Sequence, residues 1–207
     1  MIEVITTPKT EQVIEKISYD EFLRKYSGVH AEWIGGEVVL LMTASTKHQK
    51  LVLWLANILN LFIEKYDLGL LLTAPFNMQM PHLERGREPD ILFVAQERLH
   101  IVQASYLAEA ADVVIEVVSP ESIGRDRGEK FVEYEAAGVR EYWLIDPDRQ
   151  QAEFYRLTEA GHYHLVFPGD KGIFRSEVLS GFWLRIDSLW QEPLPKVLDT
   201  VRELGLV

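Results

Sequence analysis

The chain has 207 residues, 47% hydrophobic and 26% charged, which is enough for one packed soluble domain. Its formal net charge of −11 excludes a generally basic, nucleic-acid-coating surface, although a local patch or a bound cation can still recruit a phosphate backbone. There is no cysteine, so disulfides and thiolate metal sites are excluded. Any metal must take oxygen or imidazole ligands, which suits Mg²⁺ or Mn²⁺ better than structural zinc.

Residues 1–17 read as an N-terminal lead-in. The opening MIEVITTPKTEQ has neither the basic start nor the apolar core of a signal peptide. No apolar run approaches the ~18 residues of a membrane span, so a cytoplasmic protein with no membrane partner is expected. Ser18-Tyr19-Asp20-Glu21 has the form of a capping box and predicts a short helix that stops near Gly28. Two strand-like runs, 31–34 and 37–42, flank Gly35-Gly36 and predict a tight hairpin. From Ser45 to Tyr66, Leu51, Leu55, Ile58, Leu59, Phe62 and Ile63 recur at helical spacing. Leu70 to Met80 reads as one extended segment, and the polar string HLERGRE (82–88) as a loop.

A strand beginning at Asp90-Ile91 follows, then a linker with a helical turn at 104–109. Residues 113–118, VVIEVV, form an apolar, β-branched run bounded by Ser119-Pro120, which predicts a strand buried on both faces. Its one acid, Glu116, is costly there unless it is paired, hydrogen-bonded or bound to a metal. A helix over about 125–137 puts Asp126 and Lys130 on one face, and Gly138 stops it. Glu141 to Asp146 predicts another strand. Beyond it, segments 152–157, 163–167, 173–178 and 182–186 suggest an antiparallel meander extending the sheet, followed by a weakly helical tail at 194–206. The expectation is a mixed α/β domain: a core over 18–157 with a central mixed sheet flanked by helices, and a β-rich extension of the same domain over 158–207.

Two strand carboxylates and a lysine are the parts needed to hold a divalent metal and stabilise a phosphoryl transition state. Each residue also has a plainer reading. Asp90 could cap a backbone amide, Lys130 could pair with Asp126 on a solvated helix face, and Glu32 could be an exposed hairpin charge. His48 could be a helix-start cap, and Tyr134 could pack the helix onto the sheet. Arg125 and Arg127 could contact phosphates or be solvated charges.

The order of motifs carries a resemblance: a hairpin with Glu32, a long helix bearing His48, Pro89-Asp90, Glu116-Val117-Val118-Ser119-Pro120, Arg125-Asp126-Arg127-Gly128-Glu129-Lys130, and Glu141-Tyr142-Trp143-Leu144-Ile145-Asp146-Pro147. Over residues 18–157 the chain resembles the Uma2 family (formerly domain of unknown function 820), whose fold is that of PD-(D/E)-x-K restriction-type endonucleases. The resemblance implies a Mg²⁺- or Mn²⁺-dependent DNA endonuclease, with Asp90 and Glu116 as metal carboxylates and the Val117 carbonyl as a further ligand. Val118 stands where the superfamily's catalytic lysine is usual, and the family pattern implies Lys130 in its place, assisting the attacking water or the transition-state charge. Glu32 is implied near the site. A homodimer or higher homo-oligomer fits such folds. The alternative is a catalytically inactive nuclease-fold module that binds nucleic acid or a protein partner.

Overall fold

The structure, a computed structural model, describes residues 13–120 and 122–207. Its elements in order are β1 (Val13–Lys16), α1 (Tyr19–Lys25), β2 (Ala31–Ile34), β3 (Glu37–Leu40), α2 (Thr46–Lys65), β4 (Gly69–Thr73), β5 (Asn77–Met80), β6 (Arg85–Arg87), β7 (Ile91–Ala95), β8 (Tyr106–Leu107) and β9 (Val113–Val117). Then come α3 (Ile123–Arg127), α4 (Glu129–Ala137), β10 (Glu141–Asp146), β11 (Gln151–Leu157), β12 (Tyr163–Gly169), β13 (Ile173–Arg175), β14 (Trp183–Arg185) and α5 (Val197–Glu203).

The central sheet has the order β12-β11-β10-β9-β7-β4, with β9 and β10 parallel and the other pairs antiparallel. Side chains alternate across it. Ile91, Phe93, Val113, Ile115, Val117, Trp143 and Ile145 face α2, meeting Leu55, Ile58, Leu59 and Phe62. Leu92, Val94, Val114, Tyr142 and Leu144 face the other way, toward Tyr134 of α4 and the β5 methionines Met78 and Met80. A second sheet, β1-β3-β2-β6-β5-β8, covers that side. Phe174, Phe182, Leu184 and Val201 from the C-terminal segments belong to the same apolar cluster as α2.

The hairpin and the long helix form as the sequence predicts. Gly35 and Gly36 adopt φ of +56° and +94°, which a side chain would resist, and β2 and β3 pair antiparallel across them. Ser45 caps α2, its hydroxyl accepting from the His48 N–H at 3.2 Å. Ser45→Ala is therefore expected to cost about 1 kcal/mol and lower the thermal midpoint by roughly 2–4 °C, a loss that thermal unfolding would detect.

Several segments differ from expectation. Residues 70–80 divide into β4 and β5, in different sheets, because Pro75 offers no N–H to continue a ladder. The 82–88 string is not a loop: Pro81–Leu83 is a 3-10 turn and Arg85–Arg87 is strand β6, wedged between β2 and β5. The turn expected at 104–109 is strand β8, and the 3-10 helix lies earlier, at Gln96–Ile101. The helix over 125–137 is two helices meeting at Gly128. The C-terminal meander is split: β11 and β12 extend the central sheet, whereas β13 and β14 form a separate two-stranded sheet. Of the lead-in, residues 13–16 form β1 against β3, and residues 1–12 lie outside those described.

Candidate active site

Register brings the two acids together. Ile91 of β7 pairs with Ile115 of β9 in antiparallel fashion, so one residue further along Asp90 stands across from Glu116. Alternation then gives both the face that carries Leu92 and Val114. Asp90 Oδ2 accepts from the Val117 N–H at 2.8 Å and contacts His48 Nε2 at 3.1 Å. Thus α2 and β9 fix one carboxylate oxygen, and among the described residues Oδ1 takes no bond.

Glu116 is buried and meets α4, where Lys130, Glu133 and Tyr134 share a face by helical spacing. Its Oε1 accepts from Lys130 Nζ at 2.8 Å and from the Tyr134 hydroxyl at 2.8 Å. Oε2 takes none among the described residues. Lys130 Nζ is also 3.3 Å from Asp126 Oδ1 and 3.5 Å from Glu32 Oε1. The lysine is therefore not on a solvated helix face but buried among three carboxylates, and Glu32 is not an exposed hairpin charge but fully buried. Tyr134 does more than pack the helix onto the sheet.

Burial pushes the Glu116 carboxyl up to about 8, with repulsion from Asp126 and Asp90 adding to it and Lys130 opposing. For Lys130 burial disfavours the charge, but Glu116, Glu32 and Asp126 outweigh it and hold the ammonium well above the usual lysine range. Burial likewise works against ionised Glu32, and Lys130 and Arg87 overcome it, leaving this carboxyl below its usual range. A raised carboxyl pKa in the fold means stability that is whole below about 4.5 and lost as pH rises through about 8. Glu116→Gln removes that titration while keeping the shape. Between pH ~5 and ~9 the native thermal midpoint is therefore expected to fall by roughly 5 °C or more relative to the variant. A difference constant across that range would contradict the assignment.

Three residues belong to this region without having been singled out in the sequence. Arg87 is fully buried and forks between sheet and helix: Nη1 to Glu32 Oε2 at 2.8 Å, Nε to Glu133 Oε2 at 2.7 Å and Nη2 to Glu129 Oε2 at 3.2 Å. Glu88 and His30 pair through Oε1 and Nδ1. His30, His48, Glu88, Asp90, Glu116 and Lys130 all line one cleft of about 470 Å³. Arg125 lies on the same cleft, whereas Arg127 is drawn to Glu153 at 2.5 Å and Asp146 at 3.7 Å. Among the described residues no group of three or more His, Asp or Glu side chains is gathered to hold a metal ion. The donors present are two carboxylates, each with one uncommitted oxygen, beside the Val117 backbone.

The Uma2 family model, described as "Putative restriction endonuclease", matches residues 19–187. An uncharacterized protein of Synechocystis sp. is 25% identical over 156 residues, covering 74% of this chain and 84% of that protein. The crystal structure of a DUF820 protein from Anabaena variabilis, described as a putative nuclease, matches with a TM-score of 0.71 at 20% identity, over 84% of this chain and 97% of that one. At that identity the likeness is one of fold: mixed sheets flanked by helices.

Proposed function

Since the chain belongs to the Uma2 family, we propose that it is a metal-dependent endonuclease that hydrolyses DNA phosphodiesters in the cleft of Asp90, Glu116 and Lys130. The observation that carries this reading is the 2.8 Å contact of Lys130 with Glu116. An ammonium delivered from α4 stands beside Glu116, although Val118 occupies the strand position where a lysine is usual. A divalent cation, Mg²⁺ or Mn²⁺, held by the Asp90 and Glu116 carboxylates and the Val117 carbonyl, would supply Lewis-acid charge to the scissile phosphate. The donor set fits such a hard cation: it is all oxygen, and one oxygen of each acid is free of protein hydrogen bonds among the described residues.

The chain's own groups have distinct tasks. The Val117 N–H and His48 orient Asp90, and Tyr134 orients Glu116. Lys130, kept protonated by its three carboxylates, offers positive charge to the crowded phosphate oxygens as negative charge builds there. Asp126 and Glu32 hold the ammonium in place. Cutting both strands of a duplex calls for two such clefts, which a homodimer or higher homo-oligomer supplies. Acting on DNA, the protein works in the cytoplasm; no described helix is long and apolar enough to cross a membrane.

The test is a cleavage screen over double-stranded, single-stranded and branched DNA with Mg²⁺ or Mn²⁺. Native protein is expected to cut at least one form, and Asp90→Asn to cut it at least 10²-fold more slowly. Binding without cleavage of any form would instead identify a non-catalytic nuclease-fold module.

A further inference from the structure

Hydrolysis of a phosphodiester requires a group to take the proton of the attacking water; in the reading above Asp90 and Glu116 hold the cation, and neither Lys130 nor His48 is placed to take it. Lys130 has three carboxylates within 3.5 Å of its Nζ and stays an ammonium. His48 has Nε2 on Asp90, and its Nδ1 is buried with no hydrogen-bond partner among the described residues, so one nitrogen is taken and the other is closed off.

His30 is differently placed. It sits between α1 and β2 on the cleft wall, with its ring side chain 41% exposed. Its Nδ1 is bonded to Oε1 of Glu88, a buried acid whose Oε2 accepts from the Ala31 N–H at 3.4 Å. A carboxylate on Nδ1 fixes the proton there, which leaves Nε2 with its lone pair and, among the described residues, no hydrogen bond. Burial lowers the pKa of His30 below the usual histidine range, which favours the neutral, proton-accepting ring.

We propose that His30, oriented by Glu88, is the general base of this cleft, an inference that rests on the endonuclease reading. As the water oxygen bonds to phosphorus, one of its protons passes to His30 Nε2 and the P–O bond to the leaving sugar breaks. The leaving oxygen takes a proton from solvent, and the imidazolium returns its proton to solvent through its exposed edge. Glu88 is a positioning residue: it holds the tautomer and stabilises the imidazolium.

The experiment uses the DNA form that native protein cleaves, with His30→Ala and Glu88→Gln. His30→Ala is expected to lower kcat by about 10²–10³-fold with KM within about threefold of native. Imidazole added at tens of millimolar should restore part of that rate. Glu88→Gln should lower kcat by about tenfold with KM unchanged, and imidazole should not relieve it, because the ring is still present. His30→Ala cleaving within threefold of native would overturn the proposal, as would a loss that imidazole leaves unmoved. Native protein that cleaves no DNA would overturn the endonuclease reading itself, so the two failures are distinct.

Discussion

Lys130→Met is expected to lower kcat by roughly 10³-fold and to destabilise the protein by about 3–5 kcal/mol at neutral pH. Both effects follow from one ammonium shared by Glu116 at 2.8 Å, Asp126 at 3.3 Å and Glu32 at 3.5 Å. Methionine fills a similar volume but leaves the carboxylates without their common counter-charge, and Tyr134 and Arg87 reach only Glu116 and Glu32. With the cation gone, Glu116 and Glu32 lose the charge that holds their carboxyls down, and both rise in the folded state. The deficit should therefore shrink as pH falls toward ~4 and the acids take up protons, and widen as pH rises. Urea unfolding at pH ~4.5 and ~7.5, with cleavage assays alongside, measures both effects. A variant as stable as native at the higher pH would show that the cluster is not held by this charge.

The second large effect belongs to Arg87. Its guanidinium is fully buried and bonds Glu32, Glu133 and Glu129, tying β6 and β2 to the helix that carries Lys130. A buried ion pair adds little over an apolar replacement of the whole set, but losing one partner strands the others. Arg87→Met strands Glu32 and Glu133 and is expected to cost about 3–5 kcal/mol and roughly 10 °C in thermal midpoint. Arg87→Lys keeps the charge but cannot fork, so an intermediate loss is expected. Because α4 then seats less firmly, cleavage by either variant should fall even where the protein is folded. A thermal midpoint within 2 °C of native for Arg87→Met would contradict this role.

The parts of the site that were legible in the sequence are those set by local periodicity. Glu116 stood out because an acid in a β-branched run must find a partner, and it has two, Lys130 and Tyr134. Spacing put Asp126 and Lys130 together, and they meet even though Gly128 breaks the helix between them. The contact of Lys130 with Glu116 was not legible, because it depends on how α4 packs on the central sheet. Arg87, Glu88 and His30 were not legible for a related reason. HLERGRE has no apolar rhythm, and Arg87 and Glu88 are buried only because partners far along the chain neutralise them: Arg87 meets Glu133 and Glu32, and Glu88 meets His30. One trace was present. Gly86 separates two arginines that then share a strand face, and a side chain there would meet the Tyr19 ring at 2.6 Å and Asn77 at 2.7 Å. That is the mark of a closely packed strand, not of a loop.

Calorimetric titration of Mn²⁺ into native protein, Asp90→Asn and Glu116→Gln reads whether these two carboxylates hold the cation at which DNA is cut. The native protein is expected to bind, and both variants to lose that binding while remaining folded. Equal binding by all three proteins, or none by the native protein, would contradict that assignment.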